Sequence, residues 1–413
     1  MPGLVPVTIL FAPLLLLLST SISFPQTPDQ SAQAPLAESP PPLASQPDQH
    51  RLPTPTPHEQ EDAVMVLGEL RGAVRALPRS AENRLNLAEW LYRIGDLDAA
   101  IEECRVAIRL NPSDPQAHLQ LGVTLMAKQE WRAAASVLKE AIRLDPEVAH
   151  AHYSLGTVQY SLGNVNAAIQ SYRQALELQP YFPDARYRLA LLLKLTHRQQ
   201  EAAQLLEEAA LGGVPQAQFF LGNAYKSGQG VATNLGRAIF WWSKAAEFGH
   251  QSAADALAKL RRQALSSDQP DRRRKEALDA FQAYRDKLWD EFPDDSRAGD
   301  NDTLGTTLLK QKRADYAVPV LLKECYALSD VAQTELAKLY ETGWNQHLEP
   351  FEKRILACFE TTAADGFGTA KKALARIHAK GLGKQADPQK AKAALKGLPK
   401  QEMTSMLKEL DLH

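Results

Sequence analysis

The sequence predicts an all-α chain of antiparallel helix pairs stacked in file. Three observations carry that expectation. Prolines fall 34 residues apart at Pro78, Pro112, Pro146 and Pro180, and alanines keep the interval at Ala107, Ala141 and Ala175 and at Ala100, Ala134, Ala168 and Ala202. A phase held this long marks a repeat whose copies bury apolar surface only against their neighbours. Within a period, Leu87, Ala88 and Leu91, then Leu97, Ala100, Cys104 and Ala107, recur at helical spacing, so each copy supplies two apolar stripes. The 413 residues are 44% hydrophobic and 23% charged, which excludes wholesale disorder and a polytopic membrane protein.

Composition narrows function as well. Forty-seven basic residues against forty-nine acidic ones leave a net charge of −2, whereas a nucleic-acid binder needs a clustered positive field. Arg261-Arg262 and Arg272-Arg273-Arg274-Lys275 are followed closely by acidic residues and read as a solvated helix face. The three cysteines are too dispersed for a disulfide scaffold or a cysteine-based zinc motif. Cys104 reads as a small buried hydrophobe. Cys325 and Cys358 are free to pair if the compartment is oxidising.

The elements run in order from an N-terminal segment that lies outside the fold. Residues 3–18 are an almost unbroken apolar run, and Ser21 and Ser23 then supply a small-x-small pair. Residues 1–23 therefore read as a cleaved signal peptide and predict a periplasmic or secreted protein. No Lys or Arg precedes the run, which leaves open an uncleaved membrane anchor, although sixteen apolar residues broken by Pro13 are short for a core of about 30 Å. Residues 24–60 are rich in Pro, Ser, Gln and Ala, as in a disordered tether.

From 61 to 214 the period governs. One helix precedes four copies, in which Leu87-Ala88, Leu121-Gly122, Leu155-Gly156 and Leu189-Ala190 recur. Small residues are expected where paired helices cross, Ala88 against Ala100, Gly122 against Ala134 and Gly156 against Ala168. Gly156→Leu should then overpack a crossing at a cost on the order of 1–3 kcal/mol. Gly95 and Gly163 suit the inter-helix turn, while His197 stands where a glycine is expected and Gly212-Gly213 replace the closing proline. These residues resemble the tetratricopeptide repeat, a helix-turn-helix of 34 residues. The resemblance implies a right-handed superhelical solenoid of antiparallel helix pairs.

After 214 the period lengthens. Ala217, Leu221, Gly222, Tyr225, Gly228, Gly230, Ala238, Trp242, Ala245, Ala246 and Gly249 resemble a Sel1-like repeat, placed at 215–264. The same signature returns within 331–413 as Ala332, Leu336, Ala337, Tyr340, Gly343, Ala363, Ala364 and Gly366, and again as Ala370, Leu374, Ala375, Gly381 and Gly383. Between them, residues 265–330 read as charged amphipathic helices and a degenerate repeat, with Leu278, Phe281, Tyr284, Leu288, Trp289 and Phe292 near helical spacing. A break between two solenoids near 265–275 is the alternative to one interrupted superhelix.

No catalytic residue is assigned: a glycine-rich phosphate loop, G-x-S-x-G and H-E-x-x-H are all missing, so a non-enzymatic protein without cofactor or metal is expected. His118 and His152 occupy equivalent positions and read as packing side chains. Repeats of the family it resembles bind extended peptides or helices along a concave face lined by the first helix of each pair. That resemblance implies a partner-binding face made of Leu85, Glu89, Tyr92, Leu119, Val123, Met126, Tyr153, Thr157, Tyr160, Tyr187, Leu191 and Lys194. The Lys, Asn and Arg set with which some members clamp a terminal carboxylate is lacking. The expected role is an exported interaction scaffold for a protein or peptide partner. No nucleic acid is expected, and a membrane only if the N-terminal segment is retained, in which case the chain would organise an envelope complex.

Overall fold

The computed structural model describes residues 57–266, 271–291, 302–342, 351–382 and 385–412. The signal, the tether up to Thr56 and Phe292 lie outside them. All regular structure among the described residues is helical, as the periodicity predicts. The chain divides into two compact bodies, one ending at Arg198 and one beginning at Gln199.

The N-terminal body holds α1 (Pro57–Ala76), α2 (Ala81–Arg93), α3 (Leu97–Leu110), α4 (Pro115–Ala127), α5 (Trp131–Leu144), α6 (Ala149–Ser161), α7 (Val165–Leu178) and α8 (Pro183–Leu195). Local chemistry sets their ends. The side chains of Ser80, Asp96 and Asp114 accept hydrogen bonds from the first-turn N–H groups of α2, α3 and α4, satisfying donors the helix leaves open. Asn111, Asp145 and Gln179 close α3, α5 and α7, and the periodic prolines that follow cannot continue a helix. Consecutive helices pack as pairs, and α2, α4 and α6 also touch in sequence.

At the crossings the structure refines the expected small-against-small contact. A Cβ on Gly122 would lie 2.6 Å from the Leu138 side chain, and one on Gly156 would lie 2.9 Å from the Tyr172 ring. The glycine of the first helix thus admits a large side chain of the second, sixteen residues on, rather than the facing alanine alone. Tyr172 is fully buried and its hydroxyl lies 3.0 Å from Thr157 Oγ1, so it has nowhere to retreat. Gly156→Leu is expected to cost on the order of 1–3 kcal/mol, at the upper end of that range, in chemical denaturation.

The inter-helix turns repeat a backbone conformation. Gly95, Gln129, Gly163 and His197 all have positive φ, at 83°, 61°, 82° and 60°. His197 therefore adopts the left-handed turn expected of a glycine, and Gln129 does the same. An L-residue there carries a steric cost between Cβ and the carbonyl that glycine escapes. Gln129→Gly is expected to raise stability by about 0.5–1 kcal/mol, visible as a higher thermal midpoint.

The C-terminal body holds α9 (Gln199–Leu211), α10 (Pro215–Ser227), α11 (Leu235–Glu247), α12 (Gln251–Leu265) and α13 (Asp271–Lys287), the last running into a 3₁₀ turn at Leu288–Glu291. It continues with α14 (Leu304–Lys310), α15 (Ala314–Tyr326), α16 (Asp330–Thr342), α17 (Glu352–Ala364), α18 (Gly368–Lys380), α19 (Pro388–Ala394) and α20 (Lys400–Glu409). The same crossing device recurs: Gly222 admits Trp242, and Gly305 admits Leu321. Helix α13 buries Phe281 and Tyr284 with Leu288 and packs on both α11 and α12. Cys325 and Cys358, both fully buried, form a disulfide between α15 and α17 with Cα atoms 6.6 Å apart. Beside it, Glu324 accepts hydrogen bonds from the Thr303 hydroxyl at 2.7 Å and the Gly305 N–H at 3.3 Å. Burial pushes its carboxyl up to about 7.

Candidate functional site

The expected partner-binding positions form three rows across α2, α4, α6 and α8, because a 34-residue period returns each side chain to the same place on successive first helices. Leu85, Leu119, Tyr153 and Tyr187 make the first row. Glu89, Val123, Thr157 and Leu191 make the second, and Tyr92, Met126, Tyr160 and Lys194 the third.

Exposure differs along and between these rows. Leu119, Met126, Tyr153, Thr157, Tyr187 and Leu191 are buried, so their side chains serve packing between helices. Leu85, Glu89, Tyr92, Val123, Tyr160 and Lys194 keep part of their surface open. Tyr153 shows why. Its ring lies 4.9 Å from Phe182 and 5.7 Å from Tyr172, filling space between α6, α7 and the start of α8. Its backbone carbonyl accepts from Thr157 Oγ1 at 3.2 Å. Burial raises the phenolic pKa of Tyr153 and, less completely enclosed, of Tyr92 and Tyr160, so all three remain neutral donors at physiological pH.

One residue in this region was missed by sequence reasoning. Arg188, 6% exposed on α8, is enclosed among Tyr153, Tyr172 and Tyr187. Burial works against its charge, and the tyrosine oxygens more than offset it. Its Nη1 has no hydrogen-bond partner among the described residues. The signal was present: Asn86, Gln120, Ser154 and Arg188 are equivalent positions, and only the last is charged.

The histidines are engaged in packing. His118 Nδ1 lies 2.9 Å from the Asp114 carbonyl, and His152 Nε2 lies 2.9 Å from that of Pro146. The His150 ring packs against Phe182 with centres 4.9 Å apart and planes tilted by 51°, and burial lowers its pKa. Among the described residues no three His, Cys, Asp or Glu side chains gather as metal ligands. Cys104 is buried between α3 and its neighbours, and that burial, with Glu103 adding a smaller effect, pushes its thiol up to about 12, far from nucleophilic. Among the described residues no helix is long and apolar enough to cross a membrane.

The sequence matches the tetratricopeptide repeat over residues 67–115, 119–183 and 158–218, and the Sel1 repeat over 215–250 and 370–393. No curated protein matches the chain. Among solved structures, it is similar to MamA (26% identity, covering 37% of this chain and 89% of that one, TM-score 0.34). It is similar also to YrrB, described as a TPR protein with an unusual peptide-binding site (22% identity, 45% and 96%, TM-score 0.36). A third is pilF of Pseudomonas aeruginosa (21% identity, 55% and 91%, TM-score 0.36). Helix pairs in 34-residue register and glycines at the crossings go with the family matches: the chain carries tetratricopeptide repeats within 67–218 and Sel1 repeats at 215–250 and 370–393.

Proposed function

We propose that the chain is an exported, non-enzymatic scaffold that holds a partner protein segment against the face formed by α2, α4, α6 and α8. The observation that carries this reading is the pair of partly open tyrosines, Tyr92 and Tyr160, in one row of that face with Met126 and Lys194, beside Glu89 and Val123. Rigid aromatic rings with a polar tip supply contact area at little entropic cost, and such residues dominate binding energies at interfaces. An amphipathic segment suits this mixture of ring, aliphatic and single charges. Tyr92→Ala/Tyr160→Ala is expected to reduce recovery of the cross-linked envelope partner by about tenfold or more, with helicity by circular dichroism unchanged. Undiminished recovery from a folded variant would reject the face.

Two features support export: the apolar run at 3–18 followed by Ser21 and Ser23, and the buried Cys325–Cys358 disulfide, a bond that persists in oxidising compartments. N-terminal sequencing of the mature protein tests it. A start near Phe24 fits the cleaved signal, whereas an intact N-terminus makes residues 3–18 an anchor and the protein a membrane-tethered organiser.

A further inference from the structure

The C-terminal body contains a cavity of about 520 Å³ between α9, α10, α11 and the end of α13. Three features converge on it. Phe248, 67% exposed, and Leu211, 73% exposed, stand there as bare apolar surface. The ammonium groups of Lys244 and Lys287 lie 4.9 and 5.4 Å from the centre of the Phe240 ring, while Arg237 lies over Tyr225 and donates to its hydroxyl at 2.9 Å. Lys287 pairs with Asp290 at 3.4 Å, but Lys244 and Arg237 have no carboxylate partner among the described residues. Glu207 and Glu247 also line the cavity and pair with neither. Finally, Gln218, 3% exposed, donates its Nε2 to the Ala210 carbonyl at 3.1 Å and leaves its Oε1 without a partner.

We propose that this cavity binds an extended peptide segment in which an acidic side chain neighbours an aromatic or aliphatic one. Each part of such a segment answers one feature. The apolar side chain covers Phe248 and Leu211, removing their surface from water. The carboxylate meets Lys244 and Arg237, cations already held in place on aromatic rings. A backbone N–H supplies the donor that Gln218 Oε1 lacks. Glu207 and Glu247 repel a polyanion, which selects a ligand carrying one or two negative charges over a nucleic-acid strand. The site is built by other helices than α2, α4, α6 and α8, and it stands or falls separately from the face they form.

The probe is a random-peptide phage library panned on the full chain, with enriched sequences synthesised and their affinities measured by fluorescence polarisation. Enriched peptides are expected to pair an acidic with an apolar residue. Lys244→Glu and Phe248→Ala, both at solvent-accessible side chains and checked by circular dichroism, are each expected to weaken binding by about tenfold. Tyr92→Ala/Tyr160→Ala should leave the affinity within about twofold. Absence of enrichment, peptides without an acid, or equal affinity for the Lys244 and Phe248 variants overturns the proposal. Loss confined to Tyr92→Ala/Tyr160→Ala also overturns it, since the peptides then sit on the other face. Self-association that Lys244→Glu abolishes makes the occupant a second copy, and likewise overturns it.

Discussion

Asp365→Ala is expected to lower the unfolding free energy of the C-terminal body by about 3–5 kcal/mol. Asp365 closes α17 and accepts from Arg261 Nε of α12 at 2.6 Å, with side-chain exposures of 9% and 4%; Arg262 approaches its other oxygen at 3.6 Å. Removing the carboxylate leaves the Arg261 guanidinium in a low-dielectric place with nothing to compensate its lost hydration. The pair itself need not be worth that much. Arg261→Met/Asp365→Leu, which removes both charges at similar volume, is expected to recover most of the loss. Urea denaturation of the three chains checks both statements. A loss below about 1 kcal/mol for Asp365→Ala would mean that water reaches Arg261.

Loss of the Cys325–Cys358 disulfide is the second large effect. Cys325→Ala/Cys358→Ala, or reduction, is expected to cost about 2–4 kcal/mol, because the bond closes a loop across 33 residues and restricts the unfolded chain. Thermal unfolding with and without reductant measures it, and the wild-type midpoint should fall to that of the double variant. A mass two hydrogens lower for the purified, unreduced chain should accompany it. A midpoint indifferent to reductant, with both thiols free, would remove the support that this bond lends to export.

Much of the architecture was legible in advance. The periodic prolines Pro112, Pro146 and Pro180 mark helix ends because they act on backbone groups within one turn, whereas the caps at Ser80, Asp96 and Asp114 were identified only in the structure. The Gly-to-large contacts at the crossings were legible only by half. Gly122 and Gly156 announced a close approach, but Leu138 and Tyr172 were not identified as the side chains that fill it. The disulfide was left open because spacing along a chain does not reveal whether two helices bring thiols within reach.

Sequence alone determined the helix pairs, their 34-residue register and the three rows into which the first helices sort their side chains. Those follow from backbone geometry and periodicity, which act over a few residues. Tertiary structure decided which members of a row stay open: Tyr153 is sealed under Phe182 while Tyr160 keeps surface. It also decided that Arg188 is enclosed by tyrosines, that Arg261 finds its partner 104 residues on, and that cations and bare apolar side chains meet around one cavity. Burial and charge pairing depend on atoms brought together from distant stretches, and no local pattern encodes who those neighbours are.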